Sequence, residues 1–146
     1  MAIPAPLNWN EAMYMCNKLG SGNMTELQNP EDMEYTVSLF ENEPTSCENI
    51  WTPLTDEEKE GVYRNAMTKN VASYLPWEVS NPNGFKDENF VLLSMSSKGY
   101  IDNVKTKKAT CTACDIGIRT EFYLKGVCQE TYFGEHRSLF ISKLLV

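Results

Sequence analysis

Five cysteines constrain this 146-residue chain more than any other feature of its sequence. They are Cys16, Cys47, Cys111, Cys114 and Cys128. Because the first two stand far from the last three, we expect disulfides that close long stretches of chain. Such bonds form in oxidising, secreted settings, so the cysteines predict an extracellular protein or a cell-surface ectodomain. The odd number leaves one thiol unpaired, or paired outside this chain.

The composition restricts the partners that the chain can bind. A net charge of −7 and a pI of about 4.7 argue against nucleic acid and against an anionic membrane surface, since both attract clustered Lys and Arg. No apolar run is long enough to span a bilayer, and Met1 to Pro6 lack the features of a secretory signal. The sequon Asn23-Met24-Thr25 predicts a glycan on Asn23.

Two helices are predicted in the first third of the chain. Asn8 is a good N-cap for the first helix, and Gly20 suits its C-terminal cap. Apolar residues recur along that helix at helical spacing, at Trp9, Ala12, Met13, Cys16 and Leu19. Asn29 and Pro30 favour the start of a second helix. Its apolar residues are Met33, Val37 and Phe40.

The rest of the chain predicts short strands around one long loop. Strand patterns cover residues 50–54, 62–65, 89–95, 99–103, 109–116, 121–128 and 138–144. Between residues 66 and 86 regular patterns are few, and Asn81-Pro82-Asn83-Gly84 favours a turn. Long loops in compact domains usually carry function. Two helices followed by strands predict an α+β fold with short antiparallel sheets.

Several groups of residues follow one another in a characteristic order. The first helix carries Trp9, Ala12, Cys16 and Gly20. A Trp-bearing strand and an acidic turn follow at residues 50–63, and Trp77 precedes the Asn-Pro-Asn-Gly segment and Glu88. The last strands, at residues 91–93, 100–102 and 109–111, complete the set. In this order the residues resemble the C-type lectin-like domain, over about residues 7–114.

The resemblance implies a C-type lectin-like domain over residues 1–116. Residues 117–146 would then be a C-terminal extension or the start of a further module, similar to runs in some invertebrate mosaic surface proteins. Family members usually begin with a strand before the first helix. We expect that strand to be missing here or supplied from elsewhere, for example by residues 121–128. Phe90 and Lys105 stand about where the family usually has a short-range disulfide.

The resemblance also implies a disulfide from Cys16 to the closing strand, at Cys111 or Cys114. The Ala-Thr-Cys sequence that ends at Cys111 matches the family's closing strand, which favours Cys16 with Cys111. Cys47 would then pair with Cys114. Cys128 would be left to the tail or to a missing neighbour.

A calcium site in the long loop is a further implication of the resemblance. Sugar-binding members hold the ion with an acid-Pro-Asn motif, a downstream Glu, and an Asn-Asp pair on a strand. Pro82, Asn83 and Glu88 match the loop part of this motif, and Asp102 matches the strand Asp. Asn81 stands where the acid is expected.

Two departures weaken the predicted calcium site. Asn81 keeps a carbonyl oxygen but has no charge, and Ile101 replaces the strand Asn without offering a ligand. Ligand number and charge set calcium affinity. We therefore expect no cofactor, or calcium bound weakly by Asn81, Asn83, Glu88 and Asp102. The alternative is that residues 81–84 form a simple turn, which suits these residue types without any metal.

Other clusters do not predict an enzyme. Cys111-Thr-Ala-Cys114 falls in a predicted strand, whereas a redox motif of this spacing normally opens a helix, and a structural zinc site needs four ligands. Cys128 and His136 have no third group to orient them. The acidic run at residues 56–60 fits a solvated turn.

The sequence therefore predicts a non-enzymatic recognition module. In the first hypothesis a protein ligand or a neighbouring module contacts the long loop, about residues 69–87, through Trp77, Asn83 and Phe85. The second hypothesis is calcium-dependent carbohydrate binding at the altered site. The third is a structural spacer in a multi-domain surface protein. Trp51, Tyr63 and Trp77 favour core positions, since aromatic side chains dominate core burial.

Overall fold

The computed structural model describes residues 2–19, 23–42 and 46–115. Two helices span Trp9–Leu19 (α1) and Pro30–Glu41 (α2). The described strands are β1 (Ala2–Ile3), β2 (Asn49–Thr55), β3 (Arg64–Asn65), β4 (Phe90–Ser94), β5 (Gly99–Asn103) and β6 (Cys111–Ala113). The predicted two-helix α+β architecture is confirmed. Predictions on Gly20, residues 116–146, Cys128 and His136 lie outside the described residues.

Both helices begin where the sequence predicts. The amide of Glu11 donates to Oδ1 of Asn8 at 2.9 Å, and the amide of Asn8 donates to Oε2 of Glu11 at 2.8 Å. This reciprocal pair is a capping box that satisfies two backbone donors. Oδ1 of Asn29 accepts from the amide of Asp32 at 2.8 Å, and Pro30 occupies the first turn of α2. Within the described parts of the chain, neither helix is long and apolar enough to cross a membrane.

The strands form one mixed sheet in the order β1-β6-β2-β4-β5, with β3 paired to β2. The predicted antiparallel pairing holds for the other strand pairs, whereas β6 pairs with β2 in parallel. The connection from β5 brings the chain back beside β2 in the same direction. β2 thus lies between β4 and β6, and its residues from Ile50 to Leu54 are all buried.

The sheet separates two hydrophobic cores. On one face α2 packs over alternate strand residues, and that core includes Met33, Val37, Phe40, Ile50, Leu54, Val91, Leu93 and Cys111. On the other face α1 packs over the remaining strand residues, and that core includes Ala12, Cys16, Met24, Trp51, Phe90, Leu92 and Cys114. Burial on both faces explains why β4 is a continuous apolar run.

A short first strand precedes α1, so the expectation that this strand is missing or supplied from elsewhere was wrong. Ala2 pairs with Ala113 and Ile3 with Thr112, so β1 lies at the edge of the sheet beside β6. A further antiparallel bridge joins Leu7 to Ala109. The strand consists of two residues only, so the short segment before α1 is long enough to form it.

The disulfides join Cys16 to Cys114 and Cys47 to Cys111, which reverses the favoured assignment. The alternation of side chains along a strand explains the correction. Cys111 points into the core on the α2 side, whereas Cys114 points into the core on the α1 side, which also holds Cys16. A bond from Cys16 to Cys111 would have to pass through the sheet.

Removing either disulfide should destabilise the fold strongly. The bonds span 98 and 64 residues of sequence, and each restricts the unfolded chain. We expect the double Ser variant of either pair to lower the free energy of unfolding by about 4 kcal/mol, measured by urea titration. Peptide mapping of the unmodified protein checks the pairing, and a Cys16–Cys111 peptide would contradict it.

Candidate functional site

The long loop between β3 and β4 is held against β5 by backbone hydrogen bonds. The amide of Glu78 donates to the carbonyl of Tyr100 at 2.9 Å, and the amide of Tyr100 donates to the carbonyl of Pro76 at 2.7 Å. A Cβ on Gly99 would lie 3.1 Å from backbone atoms of Glu78, so the close approach of the two segments favours glycine there. These contacts fix the loop although it has little regular structure.

Trp77 packs inside the base of this loop. Its ring lies 4.8 Å from that of Tyr63 and 6.0 Å from that of Tyr100, in both cases edge to face. Tyr63 and Tyr100 are buried, and Trp77 is half-buried. Trp51 is fully buried, and its indole N–H donates to the carbonyl of Leu7 at 2.9 Å. All these aromatic side chains therefore serve packing.

Asp102 on β5 faces the loop from a buried position. The residue is only 2% exposed, and its Oδ2 accepts from the amide of Asn83 at 3.0 Å. Burial raises the pKa of the Asp102 carboxyl, and the negative charge of Glu88 raises that pKa further. The amides of Asn83 and Gly84 lower it in part. Asp102 is thus a desolvated carboxyl close to a second carboxyl.

Three of the four predicted metal ligands carry a buried oxygen that no protein donor satisfies. These atoms are Oδ1 of Asn81, Oε2 of Glu88 and Oδ1 of Asp102. Asn83 differs, because its Oδ1 accepts from the amide of Phe85 at 3.1 Å. Buried polar atoms in native proteins normally have a partner. Three such oxygens therefore lie in one motif formed by the loop and β5.

The donor set fits calcium better than a transition metal. Glu88 and Asp102 supply carboxylate oxygens, and Asn81 and Asn83 supply amide oxygens, whereas thiolate and imidazole ligands are absent from this motif. Within the described residues no group of three or more His, Cys, Asp or Glu side chains is arranged for a metal. Two carboxylates make a weak site, because calcium affinity rises with ligand charge.

A second acidic feature lies beside the loop, and sequence reasoning missed part of it. Asp56 follows β2 and is 2% exposed, and its Oδ2 accepts from the amide of Gly61 at 2.8 Å. Residues 57–61 are exposed, as a solvated turn requires. A pocket of about 520 Å³ is lined by Asp56, Glu57, Glu58, Lys59, Glu60, Gly84, Lys86 and Asn89. Four of these eight residues are acidic and two are lysines, so the lining carries a net negative charge.

Four large apolar side chains of the loop between β3 and β4 are exposed, and Val79 and Phe85 are the most exposed of them. Val79 is 91% exposed and Phe85 is 66% exposed. Phe85 follows the Asn81–Gly84 turn directly, so an exposed aromatic ring stands next to the unpartnered oxygens in sequence. Of the predicted binding residues, Phe85 is thus accessible to a partner, whereas Trp77 is occupied by packing.

Known proteins that are similar in sequence to this chain include C-type lectins. The family model described as "Lectin C-type domain" matches residues 5–116. A "C-type lectin galactose-binding isoform" of Pseudechis porphyriacus is 24% identical over 107 residues, which cover 73% of this chain and 65% of the relative. Lithostathine-1-beta of Homo sapiens is 25% identical over 77 residues, which cover 53% of this chain and 46% of the relative. The chain therefore spans less than two thirds of the length of these curated relatives.

A solved structure shows the same fold. The C-type lectin CEL-I from Cucumaria echinata superposes with a TM-score of 0.67 at 15% identity, covering 76% of this chain and 86% of that chain. The two helices, the mixed sheet and the two disulfides are arranged in the C-type lectin fold. Since the family model covers most of the sequence, this chain belongs to the C-type lectin domain family, whose members are non-enzymatic binding modules.

Proposed function

We propose that this chain is an extracellular recognition module that binds carbohydrate at its long loop with the help of calcium. The three unpartnered buried oxygens of Asn81, Glu88 and Asp102 carry this proposal. Leaving such oxygens without a donor costs stability, and carboxylate and amide oxygens are the ligands that calcium takes. The name of the Pseudechis porphyriacus relative, which mentions galactose binding, supports the choice of a sugar ligand.

The residues of the loop and of β5 determine how the proposed site would bind calcium and a sugar. Asn81, Asn83, Glu88 and Asp102 would hold the ion, and a bound calcium would offer coordination positions to the hydroxyl oxygens of a sugar. The hydrogen bond from the amide of Asn83 to Asp102 fixes the loop over the strand. Ile101 contributes an apolar side chain where an oxygen would strengthen the site. We therefore expect weak, calcium-dependent binding.

A glycan array tests the proposal directly. The secreted chain should bind a set of glycans in millimolar calcium and lose that binding when a chelator is added. Chelator-resistant binding, or no glycan bound at any calcium concentration, would argue against calcium-dependent carbohydrate recognition.

Replacing Glu88 should weaken calcium binding, whereas replacing its neighbour Asp87 should leave calcium binding unchanged. Glu88→Gln removes one of the two carboxylates, and we expect calcium affinity to fall about tenfold or more, since ligand charge sets affinity. Asp87→Asn removes an exposed carboxylate one position away and serves as the matched control. Isothermal titration calorimetry measures both. Equal losses in the two variants would show a general charge effect instead of a site.

Asp102→Asn should stabilise the calcium-free protein at pH 7. The folded state raises the pKa of Asp102, so the folded protein loses stability as pH rises through that pKa, and an uncharged amide avoids this loss. The difference should vanish well below about pH 4, where the carboxyl of the unfolded chain is also protonated.

Thermal unfolding with and without calcium checks this prediction. Added calcium should raise the melting temperature of the unmodified protein more than that of Asp102→Asn, because a ligand stabilises a folded state in proportion to its affinity for that state. A variant that is less stable than the unmodified protein in chelator at pH 7 would contradict the prediction.

Exposed Phe85 favours a second candidate function, contact with a protein ligand or a neighbouring module. This large apolar side chain is 66% exposed at a loop, so its ring is available for contact with another molecule. Val79, exposed on the same loop, adds to the apolar surface. Aromatic side chains of this kind often dominate the energy of protein interfaces.

Phe85→Ser distinguishes this second candidate from the first. If a protein is the ligand, binding of the chain to intact cells should survive chelator and glycosidase treatment, and Phe85→Ser should weaken it about tenfold or more. Met67→Ser, at another exposed apolar residue, is the control. Both variants should unfold within about 0.5 kcal/mol of the unmodified protein, as surface changes usually do. Unchanged binding by Phe85→Ser would exclude this contact.

A further inference from the structure

The sequon Asn23-Met24-Thr25 is built into the fold and is the only Asn-X-Ser/Thr sequence in the chain. Met24 is fully buried in the core beneath α1, and its backbone forms an antiparallel bridge with Cys114. The amide of Thr25 donates to the carbonyl of Ala113 at 2.8 Å, and the amide of Asp115 donates to the carbonyl of Asn23 at 3.0 Å. The three residues therefore act as an extra strand segment beside the end of β6.

The hydroxyl of Thr25 is also engaged in the fold. It donates to Oδ1 of Asp115 at 2.9 Å. Cys114, the residue that faces Met24, is covalently bonded to Cys16 on α1. The disulfide thus locks the backbone against which the sequon lies.

An oligosaccharide transferase needs the same atoms that the fold uses. The enzyme binds the whole Asn-X-Thr segment, including the threonine hydroxyl, so the acceptor chain has to be free of other contacts. For the transferase to bind this segment of the folded protein, Met24 would have to leave the core and Thr25 would have to lose two hydrogen bonds. The Cys16–Cys114 bond fixes the residue with which Met24 pairs to α1, so it holds the partner strand of the sequon in place.

We propose that Asn23 accepts an N-linked glycan only before the Cys16–Cys114 disulfide closes, so that the two modifications compete during folding. In the first reaction Nδ2 of Asn23 forms a bond to C1 of a sugar, the bond from C1 to a lipid pyrophosphate breaks, and the amide loses one proton. In the second reaction the two thiols lose two protons and two electrons to a disulfide-bearing oxidoreductase. Asn23 itself is half-buried, so its side chain keeps access to solvent in the folded domain.

Expression in secretory cells tests this competition, with a gel shift after glycosidase treatment as the readout. The unmodified chain should carry the glycan on only part of its molecules. Cys16→Ser with Cys114→Ser, or a reducing agent present during synthesis, should raise the glycosylated fraction about twofold or more. Cys47→Ser with Cys111→Ser is the matched control, because it removes the other disulfide and leaves the Met24–Cys114 contact. Asn23→Gln should abolish the shift in every background.

A second measurement does not depend on whether the variants fold. The folded, unglycosylated protein is incubated with microsomal transferase and a lipid-linked oligosaccharide, with and without prior reduction. We expect transfer only after reduction. Complete glycosylation of the unmodified chain, no glycan on any form, transfer to the oxidised folded protein, or an equal rise for both cysteine pairs would each overturn the proposal.

Discussion

The parallel pairing of β6 with β2 is the contact on which the rest of the structure depends. It places Cys111 beside Ile50 and Thr112 beside Trp51 in the middle of the sheet. Because side chains alternate along β6, this one segment sends Cys111 to the α2 side and Cys114 to the α1 side, and each is bonded to a cysteine of that side. The other edge of β6 receives β1. A three-residue strand thereby ties both cores and the N-terminal segment to the centre of the sheet.

The same scaffold explains how an irregular loop presents a defined set of atoms. Backbone hydrogen bonds at Glu78 and Tyr100 fix the base of the loop to β5, and the amide of Asn83 fixes its turn to Asp102. Residues for recognition are commonly found on loops that a rigid scaffold positions. The proposed site follows this pattern, since Asp102 lies on a strand while Asn81 and Glu88 lie on the loop.

The candidate site was only partly predictable from the sequence. The motif identified Asn81, Asn83, Glu88 and Asp102, but counting ligands favoured a turn without metal, because Asn81 lacks a charge and Ile101 lacks an oxygen. Burial adds an observation that the sequence does not carry, since buried polar atoms in native proteins normally have a partner. Asp56 was missed for a related reason. An acidic run normally indicates a solvated turn, yet the end of the central strand β2 holds Asp56 in the interior.

The sequence alone determined the features whose causes are local. Asn8 and Asn29 set the helix starts through side chains three residues from their partners, and the apolar run of β4 indicated a buried strand. The ordered residues of α1 and the later strands were enough to indicate the C-type lectin fold. Only the tertiary structure decided which cysteines pair, where β1 lies and which oxygens have no donor. Those outcomes depend on which face of the sheet a residue occupies and on contacts between distant segments, and neither is encoded in the spacing of residues along the chain.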